Sequence, residues 1–212
     1  IASPNYTRLE TMRALHAARL AGGTSVFAVA CEKPLGRTLA EAREMLRLAE
    51  EAGLLHGYLE NQIFSTAVLR GREVIWRRAV PGTGRPYIAR AAEEHSGPHE
   101  PWFWNADQQG GGVLSDMMCH SVEVGRFLLT APDETRGALQ LVSANASVAT
   151  LKWRRPEYAE KLRLRSGGAV DYLQRPAEDF ARGLLTLEAP DGSEVVIEAT
   201  TSWAYVGPGL RI

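Results

Sequence analysis

The chain has 212 residues, long enough to bury a substantial core and consistent with one or two domains at ~150 residues each. Lys and Arg total 24 against 25 Asp and Glu, and no segment carries the basic excess that would draw nucleic acid or anionic lipid. The longest strongly apolar run, Val26 to Cys31, is far short of the ~20 residues of a bilayer span, and the start does not read as a signal peptide. Two cysteines, Cys31 and Cys119, cannot build a disulfide framework and lack zinc-site spacing, so the expected setting is reducing and cytoplasmic.

Tyr6 to Leu20, rich in Ala, Leu and Arg and closed by Gly22-Gly23, predicts a helix. Thr24 to Cys31 predicts a short strand buried on both faces, ended by Glu32-Lys33-Pro34 because proline has no ladder donor. Thr38 with Glu41 forms a capping box, Leu39, Ala42, Leu46 and Ala49 lie on one stripe, and Gly53 sits where a C′ residue belongs. Leu54 to Glu60 reads as a second strand. Helix, strand, helix, strand implies a parallel sheet with helical crossovers.

After Asn61 the character changes. A helix is expected over Phe64 to Ile75, a turn at Pro81 to Gly84, a short strand from Tyr87 to Ala92, and a helix from Leu114 to Leu129 with Met118, Val122, Gly125 and Leu129 on one face. Strands follow at Gly137 to Thr150, Leu184 to Ala189 and Glu194 to Trp203, the last two joined by the hairpin turn Pro190 to Ser193, and strand character persists to Ile212. Hairpin connections make this second sheet antiparallel or mixed.

Lys33 falls at the carboxyl end of a parallel strand, where open α/β sheets place ligands; it is either a solvated lysine or a donor to a substrate oxygen with its pKa lowered by a pocket. Asp116 and His120 are four apart on one helix face, opposite the apolar stripe, so they suit base chemistry or are a first-turn acid and a surface histidine. Gly110 to Gly112 either lets backbone approach a ligand or is a flexible lead into the helix. Trp102 and Trp104 offer faces to a sugar or plug a gap between domains. No G-x-G-x-x-G occurs in the chain.

In order, Ser3-Pro4-Asn5, Cys31-Glu32-Lys33-Pro34-Leu35 and GGGVLSDMMCH at 110–120 resemble the Gfo/Idh/MocA oxidoreductases, named for glucose-fructose oxidoreductase, inositol dehydrogenase and a rhizopine catabolism protein. PAEDFARGLLTLEAPDGSEVVIEATTSWA also looks like the sheet of that family's second domain. The resemblance implies an α/β protein: an incomplete Rossmann-type parallel sheet over residues 1–62, then an α+β domain with a mostly antiparallel sheet over residues 63–212. It implies hydride transfer between NAD or NADP and a sugar, polyol or related hydroxyl or carbonyl compound, in a homo-oligomer. The implied catalytic residues are Lys33, Asp116 and His120, with Asp116 orienting the imidazole. Pro4, Asn5, Glu32, Lys33, Pro34, Asn61 and Gln62 would border the cofactor, and His95 and Trp104 the substrate. Arg8 stands where the family pattern has a histidine, and the glycine-rich opening is missing, so an internal piece of a longer polypeptide is expected. The rival readings are a metal-assisted hydrolase using His95, His99, Asp116 and His120, and a non-catalytic binding protein on the same fold.

Overall fold

A computed structural model describes residues 1–207. Its elements in chain order are α1 (Asn5–Leu20), β1 (Ala28–Glu32), α2 (Leu39–Glu51), β2 (Leu55–Leu59), α3 (Thr66–Val74), α4 (Val80–Thr83), β3 (Ile88–Glu94), α5 (Ala106–Gln109), α6 (Val113–Leu129), β4 (Gln140–Ala149), α7 (Pro156–Arg165), β5 (Phe180–Glu188) and β6 (Glu194–Ser202). The architecture is the expected mixture of a small parallel sheet and a mostly antiparallel one. No described helix is long and apolar enough to cross a membrane.

The parallel pair β1-β2 runs in register from Ala28 opposite Leu55 to Glu32 opposite Leu59. Helices α1 and α2 cover one face, where Met12, Cys31, Met45, Leu48, Ala49, Ala52 and Leu54 form a core. The other face is open: Ala28, Ala30 and all of β2 are exposed, so the expected burial of the first strand on both faces is not observed. Thr38 caps α2 by accepting from the Glu41 amide, but the Glu41 carboxylate returns to the Arg37 amide and guanidinium rather than to Thr38. The predicted stripe also rotates. Leu39 and Leu46 are exposed, whereas Met45, Leu48 and Ala49 are buried, because these are the positions that face the core shared with Met12 of α1.

Helical backbone continues from Thr66 through a π-type turn at Ile75–Ala79 into α4, so the segment Pro81 to Gly84 is not the free turn its composition predicts. Pro81 comes just after that π-type turn, and the chain leaves the helix only at Gly84. The second sheet has the order β3-β6-β5-β4, with β3 parallel to β6 and the other pairs antiparallel. On β6 the alternation of Val195, Ile197, Ala199 and Thr201 turns one face onto α6. Gly125 permits that approach, since a Cβ there would lie 2.7 Å from Ile197 Cγ2. The core continues through Trp104, Trp153, Tyr172 and Trp203. Helix α7, opened by Pro156, lies between the expected strands, in a stretch for which the sequence predicts no element. β6 ends at Ser202; of the strand character expected through Ile212, residues 208–212 lie outside the described residues.

Candidate active site

The site forms where the carboxyl ends of β1 and β2 meet α6 and the end of β3. The glycine run makes this junction possible, by close backbone approach rather than by flexibility. A Cβ on Gly110 would lie 2.5 Å from Arg37 O, and one on Gly112 2.2 Å from Glu178 O. Glu178 then caps α6: its carbonyl accepts from Val113 N at 2.9 Å, and its carboxylate from Gly112 N at 2.7 Å and Leu114 N at 3.3 Å. A carboxylate there satisfies orphan amides and meets the positive end of the helix dipole.

Asp116 is 3 % exposed and His120 5 %, so neither is the solvated side chain that their position opposite the apolar stripe predicts. Lys33 and Glu60, just past the ends of β1 and β2, and Trp203 contact these two side chains. Lys33 Nζ donates to Asp116 O at 2.9 Å and to Asp116 Oδ1 at 3.1 Å, while Trp203 Nε1 donates to Asp116 Oδ2 at 3.2 Å. Burial works against the Lys33 ammonium, but the charge and hydrogen bond of Asp116 outweigh it, so its pKa is raised, not lowered as expected.

The carboxylate on the imidazole is Glu60, not Asp116. His120 Nδ1 lies 2.7 Å and 2.6 Å from the two Glu60 oxygens, and Glu60 is itself 3 % exposed. Asp116 is committed to Lys33 and Trp203, which is why it does not orient His120. Burial alone would raise the Glu60 pKa. The hydrogen bond and charge of His120, the Gln62 amide and Lys33 reverse that, and it ends lowered. With Nδ1 engaged, Nε2 is the imidazole nitrogen left for other chemistry.

Lys33, Asp116 and His120 line one cavity of about 670 Å³, together with Glu93, His95, His99, Glu100 and Phe103. Its volume suits a small polar molecule. His95 is thus on the wall as expected, its pKa lowered by burial. Trp104 is not: it is 3 % exposed, its ring packs against Trp153, Tyr172 and Trp203, and Phe103 faces the cavity instead. Among the described residues, the cluster able to bring three ligand atoms within 4.8 Å is Glu60, Cys119 and His120. It shares only His120 with the set His95, His99, Asp116 and His120, and its Glu60 and His120 already bond one another.

Arg8 clamps the loops at the sheet's carboxyl end. Its guanidinium donates to Ser3 O at 2.8 Å, to Glu32 O at 2.7 Å and to Pro34 O. Glu32 closes its own turn by accepting from Lys33 N at 2.8 Å. Asn5 is buried and donates to Gln109 O at 2.8 Å, and its Oδ1 has no partner among the described residues. Asn61 leads into a short helical turn, and Gln62 bonds Glu60 through its amide. Glu60 and Glu93 were missed as site residues. An acid closing a parallel strand was the available signal for Glu60, and the inward series Ala89, Ala91, Glu93, His95 that for Glu93.

A lysine, an acid and a histidine thus line one cavity at the rim of the parallel sheet of an α/β protein that also carries a mostly antiparallel sheet. Residues 82–212 match the GFO/IDH/MocA C-terminal domain, and the chain belongs to that family. It is 36 % identical over 103 residues to 1,5-anhydro-D-fructose reductase of Ensifer adhaerens, covering 48 % of this chain and 30 % of the relative. D-xylose dehydrogenase of Paenarthrobacter nicotinovorans is 26 % identical over 178 residues, 82 % of this chain and 41 % of the relative. The solved structure of GenD2 from gentamicin A biosynthesis, in complex with NAD, superposes with a TM-score of 0.67 at 25 % identity, covering 98 % of this chain and 48 % of that one. The chain spans half or less of the length of these relatives.

Proposed function

We propose that this chain supplies the catalytic centre of an NAD(P)-dependent dehydrogenase or reductase acting on a sugar, polyol or related compound. The observation that carries this reading is the convergence of Lys33, Asp116 and His120 on one cavity from two separate parts of the sequence. The names of the relatives, a sugar reductase and a sugar dehydrogenase, support the substrate class.

The nicotinamide cofactor, when bound, supplies the hydride acceptor or donor. Pro4, Asn5, Glu32, Lys33, Pro34, Asn61 and Gln62 would border it, and two features fit that assignment. They surround the carboxyl ends of two parallel strands, and Asn5 holds a buried oxygen with no partner among the described residues. No glycine-rich phosphate turn occurs in the sequence, so this chain accounts for only part of the contacts a dinucleotide requires.

The protein groups divide the proton work. In oxidation, His120 takes the substrate hydroxyl proton, and the Glu60 carboxylate steadies the imidazolium that forms. The Lys33 ammonium, held charged and aimed by Asp116, donates a hydrogen bond to the same oxygen as carbonyl character develops. In reduction His120 returns the proton. Residues 1–62 and 63–212 are assigned as a cofactor-side lobe and a substrate and assembly lobe of a cytoplasmic homo-oligomer.

The test is His120→Ala in the complete gene product that carries this sequence, assayed for nicotinamide reduction with a sugar panel. We expect kcat to fall by about 10²–10⁴-fold with cofactor affinity nearly unchanged. Equal losses of both, or an unchanged kcat, would remove His120 as the base.

A further inference from the structure

Glu93 lies two residues before His95 on the inward-facing register of β3. Ala89 and Ala91 precede it on that face, and their small side chains let α6 pack close. At the strand's carboxyl end the register delivers two polar side chains, Glu93 and His95, to the cavity wall. Glu93 is 5 % exposed. Its Oε1 accepts one long hydrogen bond, from Gln62 Nε2 at 3.3 Å, and its Oε2 is buried with no partner among the described residues. Leaving a buried carboxyl oxygen unpaired is costly.

We propose that Glu93 is a substrate-contacting residue whose Oε2 hydrogen-bonds a ring hydroxyl next to the reacting carbon, and so determines which hydroxyl of the sugar is presented to Lys33 and His120. This rests on the hydride-transfer reading above. Gln62 ties the contact to the proton machinery. Its backbone amide donates to Glu60 at 2.9 Å and its side chain donates to Glu93, so one residue spaces both carboxyls. The two acids sit in opposite environments. His120 helps hold the Glu60 carboxyl below its ordinary range, whereas burial pushes the Glu93 carboxyl up despite His120 and Lys33. Either form of Glu93 can serve a sugar hydroxyl: a carboxylate accepts from it, and a carboxylic acid can also donate to it.

The experiment compares wild type, Glu93→Ala and the near-isosteric Glu93→Gln in the complete gene product. Probes are D-xylose, myo-inositol and methyl β-D-glucoside, followed by monodeoxy derivatives of the best of them. Both kcat/KM and calorimetric binding are read. The wild type should reject one monodeoxy sugar by about 10–100-fold, the value of a buried group left unpaired. Glu93→Ala should lose a similar factor on the parent sugar and discriminate less than about 3-fold, while Glu93→Gln, which keeps a donor and an acceptor, should recover part of the loss. Undiminished discrimination by Glu93→Ala overturns the contact while leaving hydride transfer standing. If sugars bind without hydride transfer, the functional reading falls and the binding ratios still decide the contact. If none binds the wild type, both fall.

Discussion

Gly112→Ala adds one methyl group at the point where α6 meets the loop before β5. Its Cβ would lie 2.2 Å from Glu178 O, 2.8 Å from Glu178 Cδ and 2.8 Å from Glu178 N, and since two of those atoms are backbone, no rotamer change relieves the clash. Separating the segments disrupts the 2.7 Å bond from Gly112 N to the carboxylate, the 2.9 Å bond from Val113 N and the 3.3 Å bond from Leu114 N. Two bonds to the carboxylate, one of them long, one backbone bond and the strain of overpacking together give a loss of about 4 kcal/mol. For a chain of this size that lowers Tm by roughly 12 °C. Asp116 N bonds Gly112 O at 3.1 Å, so turnover should fall as well. Gly137→Ala is the control: its added methyl meets nothing within 4 Å, and its effect should stay within about 0.5 kcal/mol. Urea unfolding of both variants decides the matter. A Gly112→Ala protein within about 1 kcal/mol of wild type would refute the close-approach account.

Three further outcomes follow from the same contacts. Glu60→Ala strips the partner from buried His120 Nδ1 and should cost about 3 kcal/mol at neutral pH. Because the folded Glu60 pKa is depressed, that stabilisation is present above the ordinary value of 4.5 and is lost as pH falls through the folded value, so unfolding midpoints of variant and wild type should converge in acid. For Glu93 the sign reverses. Its raised pKa means the native state holds the proton more tightly, and wild type loses stability as pH climbs from 4.5 through the raised value; Glu93→Gln should therefore gain on wild type as pH rises above 4.5 in paired urea titrations. Arg8→Ala frees the Ser3, Glu32 and Pro34 carbonyls and should cost about 2 kcal/mol, with Arg8→Lys failing to restore it because an ammonium cannot span three carbonyls as the guanidinium fork does. Unfolding curves of the two Arg8 variants that overlay wild type would contradict the clamp.

Local signals in the sequence were enough to place α2, whose Thr38 cap and Gly53 terminator are observed, and to place the β5-β6 hairpin at Pro190 to Ser193. They fail where tertiary contact decides. The periodicity of α6 distinguishes one apolar face correctly, yet it carries no information that Lys33, Glu60 and Trp203 contact side chains of the opposite face, and so Asp116 and His120 read as solvated. The same blindness transfers Glu60's role to Asp116, the nearer residue in sequence, because a carboxylate 60 positions away becomes the imidazole's neighbour only after β2 and α6 are docked. Trp104 shows the opposite error. An aromatic in a polar loop invites a ligand role, but three other aromatic rings claim it for the core. Glu93 fell outside the expected strand, which stopped at Ala92; the strand continues to Glu94, and its alternation buries Glu93.

The central claim is that Lys33 and His120 share one substrate oxygen. A crystal structure of the complete gene product with a nicotinamide cofactor and an oxidisable sugar measures this directly. The reacting oxygen should lie within hydrogen-bond reach, about 3.2 Å or less, of both Lys33 Nζ and His120 Nε2. A sugar seated instead in the depression on the four-stranded sheet lined by Asn145, Arg182 and Glu198, with its reacting carbon remote from His120, would contradict it.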